Sequence, residues 1–286
     1  MVLAAALVAA SATAVDLAVT RSGTADTAAR GPAPALAKAD PASGSAALAA
    51  ATASRQQAAA WIAAQAGRSV IVSCDPLMCA ALQQRGFPAA NLSPLGAGTT
   101  DPLGSGLVVS TAAVRAELGS RLASVYAPVV LASFGAGAAQ VQVRAIAVGG
   151  AAAYMSAENA DLHAREAAGK QLVHNSNLYG PPAARAELGA GRVDSRLLIT
   201  LAALTHRYAV HVRSFGDSGP GAAAMAPLRS MTITVPGSNY LSQVEAFLRA
   251  QRAPLLALTT VSRAGKVTVL TIEFTAPSPP GLLSQN

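Results

Sequence analysis

Charged residues, aromatic residues and cysteines are all scarce in this chain of 286 residues. Only 12% of the residues are charged and 4% are aromatic, and the arginines are scattered singly. A nucleic-acid-binding surface needs clustered basic residues interleaved with aromatic ones, so we expect no nucleic-acid partner. After the first twenty residues no apolar run approaches the ~20 residues that span a bilayer. This absence excludes a multi-span membrane protein, although 52% of the residues are hydrophobic, mostly alanine.

The net charge of +7 and the pI of about 10.0 are the main electrostatic features of the chain. Because the charges are spread out, they favour diffuse attraction to an anionic membrane surface or envelope polymer. The sequence shows no cofactor fingerprint, since neither residues 96–100 nor residues 135–137, both rich in glycine, match a phosphate-binding pattern. We therefore predict no cofactor.

The N-terminal segment, residues 1–19, has an apolar core and a small-x-small cleavage pattern at Ala12 to Ala14, which together are typical of an export signal or membrane anchor. The usual basic head is missing, as it would be if the true start lay upstream. A plain alanine-rich helix is the alternative. Residues 20–54 are rich in Ala, Thr, Ser, Gly and Pro, and we predict a disordered linker because such a segment buries too little apolar surface to fold.

The rest of the chain alternates predicted helices and strands, which indicates an α/β fold. Two small α/β sub-domains are predicted, over residues 55–150 and 151–276, with a glycine-alanine joint between them. The proline-rich residues 277–286 are predicted to form a flexible tail. Within the second sub-domain, residues 171–175 are predicted to form a strand.

The clearest local pattern lies between Arg192 and Gly221. Asp194 is a good N-cap for a helix to Arg207, whose leucines share one face. Residues 209–215 then alternate as a strand with one buried face, and a glycine-rich turn follows. Such a loop is where α/β folds often place their sites.

That turn contains Gly216, Asp217 and Ser218, a tripeptide found around the serine of trypsin-like proteases and of GDSL-type esterases. The alternating helices and strands do not fit the all-β protease fold. The esterases need a histidine downstream, and no histidine follows His211 in this chain. A serine without a base is not a nucleophile at neutral pH, so a polar turn is the favoured interpretation. Asp217 or Ser218 with His211 or His206 remains the alternative catalytic set.

The four histidines are isolated from other metal ligands. His206 and His211 lie five residues apart across a helix–strand junction, which predicts a capping histidine and a strand-face histidine. The same reasoning applies to His163 and His174. We predict no metal site.

Cys74 and Cys79 have a spacing that fits neither a thioredoxin motif nor a zinc knuckle. In an exported protein they predict a structural disulfide, whereas in a cytosolic protein they would be buried thiols. Asp75 follows the first strand, where it could be a ligand-binding carboxylate or could cap the helix that begins near Leu77.

Three stretches of the first half resemble a known domain: WIAAQAGRSVIVSCDPLMCAALQQRGFP, LGSGLVVSTAAVR and ASFGAGAAQVQVRAI. They resemble the extracytoplasmic α/β domain of actinobacterial glycosyltransferase-like membrane proteins, over about residues 58–148. That domain is an accessory outside the bilayer, so the resemblance implies location and not glycosyl transfer. The whole chain also resembles a family of actinobacterial membrane-anchored extracytoplasmic proteins.

The second half, in RVDSRLLITLAALTHRYAVHVRSF and the later APLRSMTI, resembles the scaffold of zinc D-Ala-D-Ala carboxypeptidases. That family binds zinc through a loop histidine, an aspartate and a later histidine. In this chain, Asp217 or Ser218 occupies the position of the loop histidine, and residues 228–231 occupy the position of the aspartate. No later histidine follows. The resemblance therefore implies a scaffold without its metal.

Together these features predict a non-catalytic, membrane-anchored extracytoplasmic protein that binds an envelope polymer or a membrane protein partner. An envelope hydrolase is the alternative, and a soluble cytosolic domain is a third class that free thiols on Cys74 and Cys79 would reveal.

Overall fold

The computed structural model of the protein describes residues 41–96, 101–216, 219, 221–223, 226–275 and 278–285, which belong to one compact unit. The predicted N-terminal signal or anchor, residues 1–19, lies outside the described residues. Within the described part of the chain, no helix is both long and apolar enough to cross a bilayer. The fold is α/β with two five-stranded mixed sheets, which confirms the predicted fold class.

In the first half, the described residues up to 145 form three α-helices and five strands in the order α1, β1, α2, β2, β3, α3, β4, β5. Their bounds are Pro41–Gln65, Val72–Cys74, Pro76–Gln84, Leu92–Pro94, Leu107–Ser110, Ala112–Leu118, Val130–Phe134 and Val141–Ala145. The strand order in the sheet is β2-β1-β3-β5-β4. Strands β1, β2 and β3 are parallel, while β5 and β4 add as an antiparallel pair. Strand β4 therefore forms one edge of this sheet.

Apolar side chains cover both faces of the first sheet. One cluster includes Trp61 and Ile62 of α1 and Met78 and Leu82 of α2. A second cluster lies around α3 and the short π-helix Leu122–Tyr126. The continuous apolar sequence of β3 follows from this arrangement, because a strand between two helical layers has no exposed face.

The second half contains four α-helices and five strands in the order α4, β6, α5, α6, β7, β8, α7, β9, β10. Their bounds are Ala151–Val173, Leu178–Tyr179, Pro182–Gly189, Ser195–Thr205, Val210–Gly216, Ser230–Val235, Ser238–Arg249, Leu258–Ala264 and Val267–Glu273. The strand order is β6-β7-β8-β10-β9, and only β6 and β7 are parallel. The edge strand β9 is exposed at every residue.

The pattern around α6 and β7 is confirmed. The side chain of Asp194 accepts a hydrogen bond from the Arg196 backbone N–H at 2.9 Å, as an N-cap does. The four leucines of the predicted apolar face are at most 1% exposed: Leu197, Leu198, Leu201 and Leu204. In β7, Val210 and Val212 are buried while His211 and Arg213 are exposed.

Two predictions are wrong. Helix α1 begins at Pro41, so residues 41–54 of the predicted disordered linker are helical. The strand predicted over residues 171–175 is the end of α4, because Leu172 continues the helix's buried face. The described part of the predicted flexible tail contacts the second half, since the Gly281 N–H donates to Asp161 Oδ1 at 3.0 Å and Leu283 packs on the second core.

Candidate functional site

Asp75 is held as a helix cap. Its Oδ1 accepts hydrogen bonds from the backbone N–H groups of Leu77 and Met78 at 2.9 and 3.0 Å, and its Oδ2 accepts from the Thr111 hydroxyl. The carboxylate is only 7% exposed. Of the two sequence interpretations, the geometry matches the cap, and Thr111 at the start of α3 ties the ends of β1 and β3 together.

The histidines of the catalytic alternative lie at the start of β7. His206 is the C-cap of α6, and the ring of exposed His211 stacks on Tyr179 with centroids 4.6 Å apart. Gly216 is five positions after His211 on the same strand, or about 16 Å at the usual rise per residue. Asp217 and Ser218 lie outside the described residues. The described chain thus places both histidines at the opposite end of β7 from Gly216.

The described residues contain no group of three or more His, Cys, Asp or Glu side chains that could hold a metal ion. Cys74 and Cys79 form a disulfide with Cα atoms 5.4 Å apart, as predicted for an exported protein. This disulfide links the end of β1 to the second turn of α2, directly around the Asp75 cap.

The chain between β7 and β8 leaves the second sheet and reaches the first. We call residues 219–223 the crossing segment, of which residue 220 lies outside the described residues. Ala222 forms an antiparallel bridge with Ala132 of β4. The Ser133 N–H donates to the Gly221 carbonyl at 2.7 Å, and the Ala223 N–H donates to the Leu131 carbonyl at 2.9 Å. The crossing segment therefore covers the edge of the first sheet.

Gly221 is required by this crossing. Its φ is +94°, and a Cβ at this position would lie 2.2 Å from Cε1 of Phe134. A side chain here would have to displace the Phe134 ring, which is only 6% exposed. The glycine lets the backbone pass directly over the aromatic ring.

A groove of about 590 Å³ opens between α1, the end of β4 and the crossing segment. We call it the crossing groove, and its lining residues are Gln57, Ala60, Trp61, Ala64, Gln65, Ser133, Phe134, Gly135, Gly219 and Gly221. None of these side chains carries a charge. The volume lies within the 300–1,000 Å³ of ordinary ligand sites.

Trp61 and Gln65 form the inner wall of the groove and each has a polar atom without a partner. The Trp61 indole Nε1 and the Gln65 Oε1 are buried and make no hydrogen bond. Behind them, the Arg229 guanidinium lies 5.6 Å from the Trp61 ring centroid, and Gln65 Nε2 donates to Glu273 Oε1 at 3.5 Å. An unsatisfied buried donor or acceptor costs about 1–3 kcal/mol. Trp61 and Gln65 are only 5% and 8% exposed, so a ligand in the groove reaches these atoms only when the side chains move.

A second groove of about 850 Å³ lies between the start of α7 and the β9–β10 hairpin, beside Arg263 and Lys266. Both basic side chains are exposed. Nothing buried and polar converges there, so the crossing groove has the more specific lining.

The titratable pair with shifted pKa values lies on α4, outside the crossing groove. Burial raises the pKa of the Glu158 carboxyl, against the opposing effect of its hydrogen bond with Tyr154. Burial, followed by the negative charge of Glu158, raises the pKa of the Tyr154 hydroxyl. Neither residue faces a nucleophile or metal cluster among the described residues.

Sequence reasoning missed the crossing groove because its residues come from three separate stretches. The single tryptophan and the glycines near residues 216–221 were the available signals. A tryptophan on an otherwise alanine-rich helix marks the place where the helix meets a large partner surface.

The chain matches no family model, and comparisons with curated proteins and with solved structures find no match either. The family resemblances noted in the sequence therefore stay predictions.

Proposed function

We propose that the protein is a non-catalytic extracytoplasmic protein, anchored to the membrane through its N-terminal segment, that binds a glycan polymer of the cell envelope. The observation that carries the proposal is the uncharged crossing groove with its tryptophan wall. The lining suits sugar rings with neutral hydroxyl groups, because Gln57 offers an exposed side-chain amide and the edges of Trp61 and Phe134, which are 5% and 6% exposed, add apolar surface.

The hydrogen-bond inventory of the groove supports a hydroxyl-bearing ligand. The Trp61 N–H requires an acceptor, whereas the Gln65 Oε1 requires a donor. A sugar hydroxyl can play either role, so hydroxyl groups of one strand would satisfy both atoms once the two side chains, now 5% and 8% exposed, turn towards the groove. The net charge of +7 would add attraction to an anionic envelope without selecting the ligand.

The disulfide supports the extracytoplasmic location. Disulfides persist in oxidising compartments and are rare in the cytosol. The Cys74–Cys79 bond is therefore consistent with export directed by residues 1–19.

We expect Ala64→Trp to weaken binding to purified peptidoglycan by at least about tenfold, because the new ring would occupy the groove. Ala64 is exposed and lines the groove, so the fold should tolerate the change. Binding is measured by co-sedimentation at low and high salt, since screening removes diffuse charge attraction but not contacts in the groove.

Ala53→Trp is the matched control, because Ala53 is also exposed on α1 but does not line the groove. Both variants carry the same loss of helix propensity. The groove would be refuted as a glycan site if the two variants bound equally well, or if binding of the wild-type protein disappeared in high salt.

The location is tested by thiol titration of protein recovered from the native membrane fraction. We expect both cysteines to be blocked until a reductant is added and the protein to pellet with membranes. Free thiols in a soluble fraction would instead point to a cytosolic protein and would contradict the envelope role.

A further inference from the structure

The edge strand β9, Leu258–Ala264, has the features of an unprotected pairing surface. Among the described residues it pairs only with β10, and all seven of its residues are exposed, including Leu258 at 59% and Val261 at 42%. Edge strands are normally protected by proline, bulges or several charges. Strand β9 has no proline, its pairing with β10 is regular, and its single charge is Arg263.

The helical layer of the second half stops short of this strand. Leu270 and Ile272 of β10 belong to the core, and they pair with Val261 and Thr259 of β9. Val261 therefore points to the same face as the core but remains uncovered there. A partner that continued the sheet would cover Val261 and satisfy the free edge of the backbone at the same time.

The sequence of β9 is complementary to itself. When a strand pairs antiparallel with its own copy, two residues that lie opposite each other have the same orientation relative to the partner backbone. Their positions in the sequence must therefore differ by an even number. The register centred on Val261 meets this condition and uses all seven residues. It opposes Leu258 to Ala264, Thr259 to Arg263, Thr260 to Ser262, and Val261 to itself.

Charge and polarity select this register over its alternatives. Each apolar residue faces an apolar one, each polar residue faces a polar one, and the two copies of Arg263 stay apart. Centring the pair on Ser262 would place Arg263 opposite Val261, and parallel pairing would bring the two arginines side by side. Like charges directly opposite each other destabilise a sheet.

We propose that two copies of this protein associate through β9, antiparallel and centred on Val261, to form a continuous ten-stranded sheet. The pairing is isologous, so the same strand serves both subunits and the assembly closes as a dimer. The crossing groove involves none of these residues and remains open in each subunit.

The test is sedimentation velocity of the full chain over a concentration series, with Val261→Lys and Val261→Glu. Because residue 261 faces its own copy, each variant opposes like charges and should raise the dimer dissociation constant by at least about tenfold. An equimolar mixture of the two variants opposes Lys to Glu and should recover the dimer. Circular dichroism checks that each variant is folded.

Val267→Lys is the control, because Val267 is 38% exposed on the neighbouring strand and does not lie on the free edge. It should dimerise as the wild type does. A monomeric wild type at all concentrations would overturn the proposal. The proposal would also be overturned if the Val261→Lys variant still dimerised, or if mixing the Lys and Glu variants failed to restore the dimer. Either result would mean that β9 does not pair with its own copy, as would be the case if it paired with another protein.

Discussion

Replacing Asp194 with alanine is expected to lower the free energy of unfolding by about 3–5 kcal/mol. The Asp194 carboxylate is fully buried and holds the Arg196 guanidinium by two hydrogen bonds of 2.9 Å, one to each oxygen. The substitution would remove both of these bonds from Arg196, which is 5% exposed and also donates to the Thr275 carbonyl at 3.2 Å. It would also remove the N-cap of α6, the most buried helix of the second core.

Chemical denaturation of Asp194→Ala measures this loss directly. The matched control is Arg192→Ala, since Arg192 pairs with Glu187 at 3.1 Å but is half exposed, so its removal should cost no more than about 1 kcal/mol. Asp194→Asn keeps a capping oxygen and should fall between the two. If Asp194→Ala costs no more than Arg192→Ala, the buried pair does not stabilise this half of the molecule.

Replacing Gly169 with alanine is the second large effect, with an expected loss of about 1–3 kcal/mol or more. Alanine normally stabilises a helix interior by about 0.5–1 kcal/mol relative to glycine. Here a Cβ would lie 1.9 Å from the Leu188 carbonyl oxygen and 2.6 Å from its carbon. Because the obstacle is backbone, α4 and α5 must move apart, and overpacking outweighs the gain in helix propensity.

The control for this prediction is Gly189→Ala, one residue beyond Leu188 on α5. A Cβ at Gly189 meets nothing within 4 Å, so this variant should be neutral or slightly more stable. Thermal unfolding should show a lower Tm for Gly169→Ala only, by roughly 2–4 °C for each kcal/mol lost. Similar melting of the two variants would mean that α4 and α5 do not pack closely in solution.

These two sites hold the second half in place, and the crossing segment then links it to the first. The β7–β8 connection returns to the second sheet beside Val193, where the Asp194 N–H donates to the Leu228 carbonyl at 2.9 Å. Loosening α6 would therefore also loosen the chain that builds one wall of the crossing groove. Asp194→Ala is expected to weaken ligand binding as well as stability.

Part of the candidate site could be anticipated from local sequence. The Cys74–Cys79 disulfide was expected if the protein is exported, the Asp194 cap follows from its place before an apolar pattern, and the Asp75 cap was one of two interpretations. The groove could not be anticipated, because α1, β4 and the crossing segment are far apart in the sequence and meet only in the folded chain. The glycine-rich stretch at 216–221 gave a turn signal but no sign that it reaches the first sheet.

The sequence by itself determined the α/β class, strand β7 and the leucine face of α6, because hydrophobic periodicity is a local property that each element carries alone. Only the tertiary structure decided that residues 41–54 join α1, that residues 281–285 pack against α4 and α6, and that Val261 stays 42% exposed on an edge strand. The physical reason is that burial of these residues depends on neighbours far along the chain, and no local pattern records which neighbours those are.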